Sequence, residues 1–244
     1  MGFLFFGKRK QDDANTFPGS AIFEGFTDWH CHILPGVDDG VRTMEESLAI
    51  LAQYEEWGVR HVWLTPHIME YMPNTTQGLR ERFEELKGAY EGDRAQREAT
   101  AKPINLNLAA ENMLDNLFEE RLASRDLLPI GPGGDHLLVE TSYFNPPMNL
   151  YEILQAVRDA GYQPILAHPE RYVYMEMRDY ERLKGMNIKF QMNLFSQADR
   201  YGREVKKKVN TLIDKHYYSY MGTDLHRKSM LDDVPELKFR SIYL

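Results

Sequence analysis

The feature that most constrains this chain is an alternation. Seven short apolar runs lie near Phe26–Cys31, Val59–Thr65, Ile104–Ala110, His136–Thr141, Gln163–Ala167, Ile188–Met192 and Tyr217–Met221, with helix-like stretches between them. Apolar runs of this length suit strands buried on both faces. The first helical stretch has Thr43 as N-cap and Glu46 three residues on, the pattern of a capping box. Met44, Leu48, Leu51 and Ala52 then repeat at helical spacing until Gly58. Leu79, Phe83, Leu86 and Tyr90 make a second stripe. Leu150, Ile153, Leu154 and Val157, closed by Gly161, make a third, and Val205, Val209, Leu212 and Ile213 a fourth. Strands alternating with helices pack as parallel βα units, in an open doubly wound sheet or a closed barrel. The Gly131–Gly134 stretch lacks nucleotide-loop spacing and reads as a turn.

Polar residues concentrate where these strands end. The first ends in His30-Cys31-His32, the second in Thr65-Pro66-His67, the third in Ala110-Glu111-Asn112 and the fourth in Glu140. The fifth ends in His168-Pro169-Glu170-Arg171 and the seventh in Asp224-Leu225-His226. In βα barrels that edge carries the active site. Strand side chains alternate faces, so His30 and His32 point the same way, as do Asp224 and His226. Each pair can grip a cation from one side. With Asp39 from the loop after the first strand, the candidate ligands are His30, His32, Asp39, His67, Glu111, Glu140, His168, Asp224 and His226. One tetrahedral zinc needs four. Nine imply two or three metals, the clustered arrangement that hydrolyses phosphoesters. Imidazoles and carboxylates suit zinc, manganese or iron without choosing among them. His61, His136 and His216 fall away from this edge and read as structural. Cys31 alternates away from its histidine neighbours and reads as a packed residue, with no arginine placed for thiol phosphatase chemistry.

At 244 residues and 43% hydrophobic, the chain suits one sizeable domain. A net charge of -8 argues against nucleic acid as a partner. The single cysteine excludes an internal disulfide and fits a cytoplasmic setting. No apolar run reaches the ~18 residues of a membrane span. The opening MGFLFFGKRK is too short in its apolar part for a signal peptide. Residues 1–20 are expected to be a flexible tail, with Phe3–Phe6 and Lys8, Arg9 and Lys10 suited to weak contact with a membrane surface. Residues 21–244 are expected to form one domain. Lys206, Lys207 and Lys208 read as a solvated helix face, and Tyr143, Phe144 and Tyr172 as either rim or core aromatics.

Taken in order, DWHCHILPGVDDG (Asp28–Gly40), TPH, AEN, LVETSY, LAHPERY and GTDLH resemble the PHP superfamily, named for polymerase and histidinol phosphatase domains. More narrowly they are similar to the CpsB/CapC-type bacterial tyrosine-protein phosphatases. The resemblance runs from about Phe26 to His226. It implies a distorted (β/α)7 TIM-like barrel with a cluster of divalent ions, usually three and often manganese, iron or zinc being the other options, on the nine residues above. It assigns Arg171 to the substrate phosphate; Arg42 is a candidate second contact. His226 or Asp39 is the candidate proton donor. The implied substrate is phosphotyrosine on a membrane-bound tyrosine kinase of capsule or exopolysaccharide production. DDG followed by Glu45, Glu46 and Ser47 matches the tyrosine phosphatases better than the histidinol phosphatases. A small-molecule phosphatase, such as one for histidinol phosphate, and a non-catalytic phosphopeptide-binding metal module are the competing readings.

Overall fold

The computed structural model describes residues 16–240. In chain order the elements are β1 (Thr16–Pro18), β2 (Thr27–Cys31), α1 (Met44–Trp57), β3 (His61–Leu64), β4 (His67–Ile68), α2 (Thr76–Gln96), β5 (Asn105–Leu108) and β6 (Glu111–Met113). There follow α3 (Phe118–Ser124), β7 (His136–Glu140), α4 (Leu150–Asp159), β8 (Gln163–Ala167), α5 (Met177–Gly185), β9 (Lys189–Asn193), α6 (Arg203–Asp214), β10 (Tyr220–Gly222) and β11 (Lys238–Arg240). All seven expected strands are present, and each pairs in parallel with its neighbours. The result is a mixed α/β fold with a curled parallel sheet.

The curl has a local cause. Strands β2, β3 and β5 form one sheet, and β10, β9, β8, β7, β6 and β4 another. The chain steps from the first to the second at Thr65-Pro66, between β3 and β4, and again at Ala109-Ala110, between β5 and β6. Pro66 has no N–H to continue a ladder, which favours a break there. On the far side, β2 meets the end of β10. Cys31 bridges Leu225 in parallel, His32 N–H donates to the Leu225 carbonyl at 2.9 Å, and Asp224 N–H donates to the His30 carbonyl at 2.7 Å. The strand ends bearing His30, His67, Glu111, Glu140, His168 and Asp224 are thereby turned toward one another.

The helices cover the sheet as amphipathic patterning requires. Leu79, Phe83, Leu86 and Tyr90 of α2, and Leu150, Ile153, Leu154 and Val157 of α4, are all buried. Thr43 caps α1 by accepting the Glu46 N–H at 3.2 Å, and Gly58 closes it in the left-handed conformation at φ 87°. The buried face of α1 is rotated from the expected stripe. It consists of Ser47, Ile50, Leu51, Tyr54 and Glu55, while Met44, Leu48 and Ala52 are half-buried. Ser47 is buried because its hydroxyl donates to the Ile33 carbonyl at 2.8 Å. Glu55 is buried because Arg94 and Arg97 neutralise it and the Tyr90 hydroxyl donates to it.

The expected tail boundary at residue 20 also shifts. Thr16–Pro18 pairs antiparallel with Lys238–Arg240, and Gly19–Phe23 forms a 3-10 turn against the domain. The aromatic and basic residues proposed for membrane contact lie outside the described residues. Among the described residues, no helix is long and apolar enough to cross a membrane. Lys208 departs from the solvated-face reading, because its ammonium donates to the Tyr172 carbonyl at 2.6 Å.

Candidate metal centre

The nine candidate ligands lie at the ends of six parallel strands or in the segments that follow them, and all face one region. Eight supply donor atoms to three overlapping groups: His32, Asp39, His67 and His226; His30, His32, Glu111 and Asp224; and His67, Glu111 and Glu140. Within each group the donor atoms lie within 4.8 Å of one another. The ninth, His168, joins through Glu111, its Nε2 standing 3.0 Å from Oε1. Asp39 and His226 are the most exposed of the set; the other seven are buried.

The spacing of the donors tests whether cations fit. Glu111 Oε2 lies 3.1 Å from His30 Nε2, 3.2 Å from His32 Nε2 and 3.3 Å from His67 Nδ1. Asp224 Oδ1 lies 3.5 Å and 3.4 Å from the same two Nε2 atoms. Asp39 Oδ1 stands 3.4 Å from His67 Nε2 and 3.5 Å from His226 Nε2. Donors about 2.1 Å from a tetrahedral ion are separated by roughly 3.4 Å, so these are the edge lengths of coordination polyhedra. Four buried atoms in the cluster have no hydrogen-bond partner: His67 Nδ1, Glu111 Oε2, Glu140 Oε1 and His168 Nδ1. Leaving such an atom unsatisfied costs about 1–3 kcal/mol, which a cation would remove. The residues fit divalent metal ions.

Neighbouring groups set which nitrogen faces inward. His30 Nδ1 donates to Gln191 Oε1 at 2.8 Å, leaving Nε2 for the centre. His32 Nδ1 donates to Asp38 Oδ2 at 2.9 Å, with the same result. His226 Nδ1 donates to the Asp224 carbonyl at 2.9 Å. Outer contacts of this kind orient ligating imidazoles and raise their basicity. Asp28, buried below the histidines, accepts from Thr223 N–H at 2.8 Å, the Thr223 hydroxyl at 2.7 Å and the Tyr54 hydroxyl at 2.9 Å, tying β2 to β10. Burial nonetheless pushes its pKa up to about 6, against those hydrogen bonds. His168 and Asp224 hold left-handed φ values of 31° and 52° without being glycine. Such strain costs on the order of 1–3 kcal/mol and gathers at functional sites. Gly222 permits the closeness of β10 and β2, since a Cβ there would sit 2.5 Å from that of His30.

Without cations, the carboxylates hold protons on the imidazoles. Burial alone would push His30 down, but Glu111 and Asp224 outweigh it and hold its pKa up at about 9. Burial likewise opposes ionisation of Glu111 and Asp224, yet the histidines bring both well below the usual carboxylate range. The hydrogen bond from His226 brings Asp39 down to about 2.

A cavity of about 470 Å³ opens beside the cluster. Asp39, Asp224 and His226 line it together with Arg171, Arg200, Tyr201, Arg227 and Met230. Arg171 pairs with Asp224 and lies between two rings, 4.5 Å from that of Tyr143 and 4.3 Å from that of Tyr201. Its guanidinium is held in place before any substrate arrives. Glu170 anchors this segment from beneath, accepting the Asn193 N–H at 3.0 Å, the Ser196 hydroxyl at 2.8 Å and the Tyr218 hydroxyl at 3.0 Å.

Other expected residues fall elsewhere. Arg42 is exposed and does not line this cavity. Its place on the cavity wall is taken by Arg227, exposed, and Arg200, which pairs with Asp233. Tyr172 is fully buried, Tyr143 half-buried and Phe144 exposed. Cys31 is buried, and its thiol donates to the Trp63 carbonyl at 3.5 Å, away from the cluster. Gln191, Asn193 and Asp38 were not singled out from sequence. The first two lie on β9, the one of the seven expected strands with no ionisable candidate at its end. Its every-other-residue pair of amide side chains was the available signal.

The architecture and site define a class: parallel α/β proteins with a candidate metal-ligand cluster at the C-terminal ends of the strands. Within that class, a sequence profile of the capsular polysaccharide synthesis CpsB/CapC family matches residues 26–239, and the chain belongs to that family. It is 25% identical over 203 residues to the "Putative tyrosine-protein phosphatase CapC" of Staphylococcus aureus, covering 82% of this chain and 76% of that protein. It is 26% identical over 216 residues to the tyrosine-protein phosphatase CpsB of Streptococcus pneumoniae, covering 85% and 84%. The fold matches a crystal structure from work on YwqE of Bacillus subtilis and CpsB of S. pneumoniae, described as unique metal-dependent tyrosine phosphatases. The TM-score is 0.72 at 23% identity, covering 83% of this chain and 80% of that one.

Proposed function

We propose that this chain is a metal-dependent phosphatase that hydrolyses phosphotyrosine on proteins. The observation that carries the reading is the joining of the nine-donor cluster to an arginine-lined cavity through the Arg171–Asp224 pair. The family membership supports the same activity. His30, His32, Asp39, His67, Glu111, Glu140, His168, Asp224 and His226 hold two or three divalent ions, manganese first, with iron or zinc as alternatives. The framework completing this arrangement is a distorted (β/α)7 barrel.

Four carboxylates and five imidazoles give a donor set whose charge two divalent ions balance, and a third ion would leave positive charge for a phosphate. When bound, such ions make water acidic near neutral pH and offset phosphoryl charge. The chain's own residues do the rest. Arg171 receives the phosphoryl oxygens on its fork of N–H donors, which matches phosphate geometry better than an ammonium does. Tyr143 and Tyr201 keep that fork oriented, so little ordering is left for the reaction itself. Arg227 adds positive charge at the rim. The leaving tyrosyl oxygen, with an ordinary pKa near 10, needs little protonation. Of the two candidates at the open side, His226 or Asp39, the proton it needs comes from His226, because Asp39 is held ionised.

The substrate class is a tyrosine-phosphorylated tail of a membrane-bound kinase in capsule or exopolysaccharide production, met on the cytoplasmic side. The N-terminal segment adds weak membrane-surface contact. The test compares a phosphotyrosine peptide, a phosphoserine peptide and histidinol phosphate at one metal concentration. The expected order of kcat/KM places phosphotyrosine first, because a serine alkoxide leaves less readily. A clear preference for histidinol phosphate would replace this reading with the small-molecule one.

A further inference from the structure

A second, larger cavity of about 590 Å³ lies on the same rim. Part of its wall is built from residues one to three positions after three of the candidate ligands. Met69 and Glu70 come after His67, Met113 and Leu114 after Glu111, and Thr141 and Ser142 after Glu140. Anything lying in it is therefore a short chain's length from the cluster.

Two properties of this groove are unusual for the molecule. Six large hydrophobic side chains are exposed among the described residues; of these Tyr71 lines the groove, and Leu117, Phe144 and Met148 each stand next in sequence to a residue that does. Isolated exposed apolar residues are ordinary, but a gathering of them marks a contact surface. The charge is also one-sided. Among the described residues, Glu70, Asp115 and Glu119 line the groove, and no lysine or arginine does. Arg121 neutralises Asp115, whereas Glu70 and Glu119 accept only amide hydrogens, from Asn116 and Asn149. The arginine-lined cavity on the other flank has the opposite character. The rim thus offers cationic walls for a phosphate and, next to them, an anionic apolar groove.

We infer that this groove binds the polypeptide flanking the phosphotyrosine, and that it selects flanks carrying a basic residue together with an apolar one. The inference rests on the phosphotyrosine-phosphatase reading and deepens it. The occupant is extended peptide, because continuity with the catalytic cluster and the complementary charge both call for a chain attached to the reacting residue. Exposed apolar anchors supply contact area, and the two glutamates supply discrimination among flanks.

The experiment uses the full chain loaded with Mn²⁺. Substrates are a phosphotyrosine peptide with lysine and leucine flanks, the same peptide with glutamate for lysine, and p-nitrophenyl phosphate. Variants are Tyr71→Ser/Met148→Ser and Glu70→Lys/Glu119→Lys, all at exposed positions. Wild-type kcat/KM should favour the lysine peptide several-fold. The apolar double variant should lose about tenfold on both peptides and nothing on p-nitrophenyl phosphate. The charge variant should reverse the preference between peptides. Equal peptide kinetics in wild type and variants would overturn the groove assignment, as would a parallel fall on p-nitrophenyl phosphate. A wild-type dimer by sedimentation that the variants dissolve would overturn it in favour of a second copy of this chain. Turnover of p-nitrophenyl phosphate without any turnover of peptide would instead defeat the parent reading.

Discussion

Replacing Gln191 by leucine should weaken metal binding without touching a donor atom. Gln191 is fully buried, and its Oε1 accepts from His30 Nδ1 at 2.8 Å and from the His168 backbone N–H at 3.3 Å. Its own amide donates to the Met192 carbonyl at 2.6 Å, so its orientation is fixed. Leucine fills a similar volume but leaves two buried N–H groups unsatisfied, at about 1–3 kcal/mol each. The His30 ring is then free to put its proton on Nε2, the nitrogen that faces Glu111 and Asp224. Losing an outer contact of this kind lowers metal affinity by about 10- to 100-fold. Competition against a chromophoric chelator would read this directly as a raised dissociation constant, with thermal melting as the check on folding. Gln191→Glu retains the acceptor and should recover most of the affinity. A folded Gln191→Leu protein with wild-type metal affinity would refute the argument that β9 orients His30 on β2.

Three other perturbations separate the roles assigned above. Arg171→Ala should keep its metals, because Asn193 Nδ2 still contacts Asp224 Oδ2 at 3.0 Å, while kcat/KM falls on the order of 100-fold; loss of metal would show that the arginine serves the cluster instead. In metal-free protein the pKa of His30 is raised from 6.5 to about 9, so its stabilising contribution is complete below pH 6.5 and disappears as pH rises through about 9. Melting of the stripped protein should therefore drop across that window, and metal loading at pH 7 should release protons; a flat melting profile with no proton release would contradict this. Cys31→Ser should retain most activity and cost about 1–3 kcal/mol in stability, since the thiol is buried and burial pushes its pKa well up; a loss of activity matching His30→Ala with metals still bound would point to thiol chemistry.

Much of the site is legible in the sequence because strand periodicity is rigid. Once a strand is located, every other residue at its end is known to share a face, and His30 with His32 needs no further information. What stays hidden has physical reasons. Strands β4 and β6 are very short and pair only after the bends at Thr65-Pro66 and Ala109-Ala110, too brief to leave a periodic pattern. Gln191 and Asn193 are uncharged, so a search for ionisable ligands passes over the strand whose amides orient His30 and contact Asp224. The face of α1 is misread because Ser47 and Glu55 are buried by specific partners, which composition does not reveal. Arg42 follows DDG closely in sequence, but the loop carries it outward, and Arg227 and Arg200 reach the cavity from distant segments. Helices α3 and α5 escape notice for a related reason: each buries only two residues in its short span.

The central claim is that this cluster is a metal centre required for phosphotyrosine hydrolysis, and one titration tests it most directly. The protein is stripped with chelator, and Mn²⁺ is returned in measured steps while bound metal and activity on a phosphotyrosine peptide are followed together. The account predicts no activity at zero metal, with recovery that tracks occupancy up to two or three ions per chain. Full activity in exhaustively metal-free protein, or two to three ions bound with no hydrolysis of the peptide, would contradict it.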